Sequence, residues 1–177
     1  MKSSNIKKTL SEGLWGINIT TSKFKTARTA VCFAMPITEQ NTACASLLAK
    51  LICRSTADYN SPKALRERLN FLYGADLNAS VMRCGDNMIL KFSCISLSDE
   101  YALSKESVAS ETCDLLKSAI FRPNLNGKAF SLDDFNVEKR LVKEEIRALI
   151  NEKRGYCITK ALEKMCENEP FGIMRKE

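Results

Sequence analysis

The chain has 177 residues, 45% apolar and 27% charged, a formal net charge of +6 and no histidine. That length gives one domain or part of a larger one, and the balance of apolar and charged residues excludes wholesale disorder. The missing histidine excludes Ser-His-Asp and Cys-His catalysis, histidine-ligated zinc and the usual near-neutral proton shuttle.

What remains is carboxylate, lysine, tyrosine or cysteine chemistry, or binding without chemistry. No apolar run reaches the length of a membrane span, and the first residues lack the apolar core of a signal peptide, so a cytoplasmic protein with no membrane partner is expected. The eight cysteines form no C-x-x-C pair. Most fall on apolar stripes and read as reduced, buried thiols. The excess positive charge sits in the first 28 residues, where Lys2, Lys7, Lys8, Lys23, Lys25 and Arg28 face Glu12 alone. Aromatic residues are not interleaved with these charges, so a solvated edge is expected and no nucleic-acid partner.

In chain order, residues 1–12 read as a loose polar lead-in and residues 13–177 as the folded part. Leu14–Thr20 has the branched residues of a strand, Ser22–Thr26 (SKFKT) a charged turn, and Thr29–Met35 a central strand apolar on both faces. Pro36 ends that strand. A helix then runs over Thr42–Arg54, with Leu47, Leu48, Leu51 and Ile52 as its apolar stripe. Ser61 caps a second helix with Pro62 at its first position; Leu65, Leu69, Phe71 and Leu72 form its buried side, and Gly74 ends it. Leu77–Val81 alternates, Cys84-Gly85-Asp86-Asn87 turns, and Met88–Leu97 returns as the second strand of a hairpin.

Ser98–Glu100 begins a further helical stretch, with Val108, Thr112, Leu115, Leu116 and Ala119 facing inward until Pro123. Ser131 caps a long helix with an acidic first turn. The last helix carries Ile158, Ala161, Leu162 and Met165, and Pro170-Phe171-Gly172 closes it. Two strands, two helices, a hairpin and three helices make an α+β fold, an antiparallel sheet with helices on one face.

This succession resembles the pitrilysin/insulinase family of zinc metallopeptidases, with its LuxS/mitochondrial-processing-peptidase-like fold. The resemblance lies in the strand pair flanking SKFKT, ASLLAKLICRST, SPKALRERLNFLYGADLNASVMRCGDN, EKRLVKEEI and NEPFG. The LYGA segment and the SKFKT turn are similar to a non-catalytic bacterial branch linked to the 5-aminopentanol modification of elongation factor P. The resemblance implies an N-terminal portion of a longer unit, a partner in the form of an active zinc peptidase sister protein or a peptide, and no bound cofactor of its own. An unfinished sheet would also leave an edge open to a homodimer.

Laid on the family's H-x-x-E-H motif, Ser46 and Lys50 stand where the two zinc-binding histidines would be, and Ala49 where the general-base glutamate would be. Glu145 matches the third family ligand and Glu138 the glutamate seven residues before it. One carboxylate among three ligand positions does not hold a catalytic zinc, and nothing at position 49 would take a proton from its water. Ser46 and Lys50 share one helix face, as do Glu138, Val142, Glu145 and Leu149. Two readings stand for these carboxylates: that both face solvent at the margin of the stripe, or that Lys50 fills the metal position the resemblance implies and forms an ion pair with Glu145. The ion pair is the expectation.

Other residues have two readings each. Cys53, near Lys50 and Arg54, is either a nucleophile or a core thiol, and without an orienting base it reads as core. Tyr73 is expected to pack at its helix end with its hydroxyl bonded or wet. Arg66 and Arg68 are expected to be solvated. Besides a non-catalytic partner subunit, two alternatives are an enzyme using Lys50 and Glu145, and a basic binding module.

Overall fold

A computed structural model describes residues 4–103 and 107–173. Strands β1 (Ser4–Ser11) and β2 (Leu14–Thr20) form an antiparallel ribbon around the turn at Gly13, whose φ is 73°. Strand β3 (Thr26–Pro36) leads to α1 (Glu39–Ile52) and α2 (Pro62–Phe71). The hairpin β4 (Asp76–Cys84) and β5 (Asn87–Leu97) follows, then α3 (Val108–Phe121), α4 (Leu132–Ala148) and α5 (Lys153–Met165). The fold is α+β with antiparallel pairing throughout.

Strand β5 lies between β3 and β4, and its inward residues Leu90, Phe92 and Cys94 are nearly sealed from solvent. Register places Val31 and Ala79 opposite Phe92, so all three strands offer one apolar face. Ala49 and Ile52 of α1, Leu65 and Leu69 of α2, and Leu115, Leu116 and Ala119 of α3 close over that face as one core. No helix among the described residues is long and apolar enough to cross a membrane.

Local signals explain most boundaries. Thr38 Oγ1 accepts the Asn41 N–H at 3.0 Å and starts α1. Ser61 Oγ accepts the Ala64 N–H at 3.2 Å, with Pro62 at the first helical position. Ser61→Ala removes that cap and should lower unfolding free energy by about 1 kcal/mol in a urea titration, with an unchanged slope. Tyr73 shares the left-handed region with Gly74, at φ 57° and 71°, and its hydroxyl accepts the Leu103 N–H at 3.1 Å.

Several expectations are corrected. Most cysteines are not buried: Cys32, Cys44, Cys84 and Cys157 are exposed, and among the described residues Cys94 alone is buried. Phe71, placed on the buried side of α2, is 66% exposed. Residues 4–11 of the supposed lead-in form β1, because the backbone of β2 offers a row of hydrogen-bonding groups that the polar stretch SNIKKTLS can pair. The sheet is divided, since the ribbon does not pair with β3. The helical stretch expected from Ser98 is a short 3-10 turn over Asp99–Tyr101, with α3 starting at Val108; the part at 104–106 lies outside the described residues. Ser131 makes no side-chain cap bond. The apolar stripe of α5 is not buried: Ile158 is 54% and Met165 79% exposed.

Arg68 also differs from its expected solvated state. Its guanidinium pairs with Glu111 of α3 and lies 5.1 Å from the Phe71 ring, linking α2 to α3. Arg66 is exposed. Arg83 of β4 donates to the carbonyls of Phe171 and Ile173 at 3.1 and 2.7 Å, which ties the NEPFG turn back to the hairpin.

Candidate functional site

Helix α1 carries Ser46, Ala49 and Lys50 at three- and four-residue spacing, which stacks them along one side of the helix axis, and Arg54 follows in the turn just past its C-cap Cys53. Ser46 and Ala49 are buried at 8% and 4% exposure. Opposite them, α4 presents Asp134, Glu138 and Glu145. Lys50 Nζ lies 2.6 Å from Glu145 Oε1. Four residues on, just past the end of α1, Arg54 reaches back along α4: Nε meets Asp134 Oδ1 at 2.6 Å and Nη1 meets Glu138 Oε1 at 2.7 Å. Higher numbers on α1 meet lower numbers on α4, so the two helices cross antiparallel.

The two sets of charges differ in environment. The side chains of Lys50 and Glu145 are 32% and 48% exposed, so water screens their attraction. The Glu138 side chain is only 9% exposed and depends on Arg54 for its countercharge. Burial works against the charge on Arg54, but hydrogen bonds to Asp134 and Glu138 outweigh it and raise the guanidinium pKa above its ordinary value. Lys50→Ala should therefore cost less than about 1 kcal/mol in denaturant unfolding.

Sequence reasoning missed Arg54 and Asp134. A signal existed: Arg54 follows Lys50 by four residues and Asp134 precedes Glu138 by four, so each extends a stripe already noted. What sequence alone could not supply was the register of two helices 80 residues apart. That register sends Glu138 to Arg54, and leaves Lys50 with Glu145.

Cys53 sits at the end of α1 against the core. Burial, with Asp76 and Cys94 adding to it, pushes its thiol up to about 12. Burial together with Asp76 and Cys113 pushes Cys94 up to about 11. Neither thiol is a nucleophile at neutral pH. At pH 8, Cys53 should react with iodoacetamide at least about a hundredfold more slowly than the exposed Cys44, read by mass spectrometry of alkylated peptides. For Cys53 the folded pKa exceeds the unfolded value of 9.0, so unfolded chains ionise first as pH rises. Its contribution to stability is thus present below pH 9 and lost progressively between 9 and about 12.

Two clefts meet at this site. One, of about 390 Å³, runs between α1, α2 and β4 over Ala49, Lys50, Arg54, Leu65, Leu77 and Ala79, with Glu138 at its side. The other, of about 340 Å³, continues past Ser46, Lys50, Ser80 and Val81 to Arg83 and Glu145. They share Ala49, Lys50 and Ala79, so they form one groove along β4. That strand is outermost in its sheet, and no described strand pairs with its free edge.

The side chains in this groove do not fit a zinc ion. Ser46 and Ala49 supply no strong ligand, and an ammonium occupies the neighbourhood of Glu145 where a second cation would be repelled. Among the described residues, no three histidine, cysteine or acidic side chains come together in a metal-holding group.

No family model matches the chain. It is 27% identical over 161 residues to a protein of Bacillus subtilis (strain 168) named "Probable inactive metalloprotease YmfF". That match covers 91% of this chain and 38% of the relative. Among solved structures, a conserved protein from Enterococcus faecalis V583 superposes with a TM-score of 0.84 and 25% identity, over 97% of this chain and 41% of that one. The chain therefore spans about two fifths of the length of each relative, and over that part it is similar to a protein named as an inactive metalloprotease.

Proposed function

We propose that this chain is a catalytically inactive zinc-peptidase-like protein of the pitrilysin/insulinase type, serving as a non-catalytic, peptide-binding subunit beside an active sister peptidase. The observation that carries the reading is the ammonium of Lys50 set 2.6 Å from Glu145, on the helix face where the family's ligands would stand. Ser46 and Ala49 supply neither a strong metal ligand nor a general base. The groove beside it has the form that an extended peptide fills by adding a strand to β4, with main-chain hydrogen bonds for affinity and Leu77, Ala79 and Val81 for side-chain contact.

Lysine-based catalysis has less support. Lys50 is engaged with a carboxylate, and the nearby Cys53 thiol is pushed up to about 12. The basic N-terminal segment supports a binding module only through its charge. The outer edge of β3 is a place for a second copy to pair, which sizing with light scattering would detect.

The test is a peptidase assay of the chain, of a zinc-bearing family member, and of the two mixed. The reading predicts no turnover from the chain alone and a change in rate or peptide preference in the mixture. Turnover by the chain alone contradicts it, and so does a mixture that behaves as the zinc-bearing protein alone.

A further inference from the structure

The groove along β4 carries an uneven set of charges: Lys50, Arg54, Arg66 and Arg83 line it against Glu138 and Glu145. Each of those carboxylates is already held by a cation, Glu145 by Lys50 at 2.6 Å and Glu138 by Arg54 at 2.7 Å. Asp134, the next acid on α4, is bound by Arg54 as well, at 2.6 Å. Arg66 is different. It is an exposed residue of α2 that lines the cleft together with Leu77, Asn78 and Ala79, and among the described residues no hydrogen bond, ion pair or ring contact engages it. Its own helix offers no partner: Pro62, Lys63, Leu69 and Asn70 stand three and four residues away, and none is acidic. The adjacent Glu67 lies 3.9 Å from Lys63. Asp76, at the start of β4, lines neither cleft.

An extended peptide added to β4 places every second side chain over this cleft, about 7 Å apart. A neutral side chain beside Arg66 leaves the guanidinium to water, and a basic one repels it. A carboxylate there gains a charge-assisted hydrogen bond to a planar donor that nothing else in the described chain occupies. Leu65, Leu69 and Leu77 line the same cleft, and their apolar surface strengthens a charge pair formed beside it by excluding water. We infer that the peptide this groove takes is acidic, and that Arg66 selects it by pairing with a glutamate or aspartate side chain beside Leu77 and Ala79. The inference rests on the strand-addition reading of the groove and adds to it the class of peptide.

The test follows the fluorescence anisotropy of short labelled peptides of threonine and valine, blocked at both ends, in which two alternate positions are glutamate, glutamine or lysine. The inference predicts that the glutamate peptide binds the chain at least about tenfold more tightly than the glutamine peptide at low ionic strength, and that the ratio falls as salt rises. Arg66→Gln should bring the glutamate peptide to the level of the glutamine peptide, which itself binds as before. Arg66→Glu should place the lysine peptide first. Because Arg66 is exposed, both variants should melt within about 2 °C of the unsubstituted chain. Equal binding of the glutamate and glutamine peptides overturns the inference and leaves strand addition standing. A glutamate preference that survives Arg66→Gln also overturns it. So does a glutamine peptide with a free C-terminus that binds as tightly as the blocked glutamate peptide, because the carboxylate recognised would then be a chain end. Binding by none of the three peptides overturns strand addition at this groove, and the inference with it.

Discussion

Phe92→Ala should lower the unfolding free energy by about 3–5 kcal/mol, the largest loss expected from any single side chain here. Phe92 is 1% exposed at the centre of β5. Its ring lies edge-on to Phe33 of β3 at 6.2 Å, and Val31 and Ala79 stand opposite it on the flanking strands. Truncation removes the ring's burial and leaves a void bounded by two strands and the helices above. Strands held by hydrogen bonds on both sides relax little into such a void, so the cost falls in the upper part of the range for large-to-small changes. Equilibrium urea unfolding followed by circular dichroism measures it. A loss below about 1 kcal/mol would mean that the core lies elsewhere.

Arg54→Met should cost about 2–3 kcal/mol, several times more than Lys50→Ala, although the two cations are only four residues apart in the chain. The reason is what each leaves behind. Glu145 is nearly half exposed and can turn to water, whereas Glu138 is 9% exposed and would remain charged without a countercharge. Adding Glu138→Gln to Arg54→Met should recover a large part of the loss, since the uncompensated carboxylate is gone. A double-mutant cycle reads this directly. Equal costs for Arg54→Met and Lys50→Ala would contradict the assignment of the inner bridge to Arg54.

These two effects also mark what the sequence could and could not tell. Short-range chemistry was readable: Ser61-Pro62 set the start of α2, Gly85 the hairpin turn, and the alternation of Leu77, Ala79 and Val81 the inward face of β4. The α+β class followed from the order of such segments. Helical spacing showed that Ser46 and Lys50 share a face, and Glu138 and Glu145 another; that the two faces meet was implied by the family resemblance alone.

Long-range register was not legible. Nothing local says that Arg54 meets Asp134 and Glu138, because that depends on how two helices 80 residues apart slide past each other. The ribbon escaped for a different reason. Residues 4–11 have no clean alternation, and their strand exists through pairing with β2. The exposed stripe of α5 shows the converse: helical periodicity predicts which residues share a face, and it cannot say whether anything covers them.

The chemistry of the site centres on the Lys50–Glu145 pair. A zinc ion brings a dication to its carboxylate ligand, whereas the Lys50 side chain brings Glu145 a single fixed positive charge. Such a group can hold an anion or a peptide carbonyl. It has no open coordination position and lowers no water's pKa to near neutrality.

Metal analysis of the purified chain after equilibration with excess zinc and desalting tests this most directly. The account predicts that zinc does not remain bound, and that Lys50→His with Ser46→His raises retention by supplying two ligands near Glu145. One tightly held zinc per unsubstituted chain, released by Glu145→Gln, would contradict it.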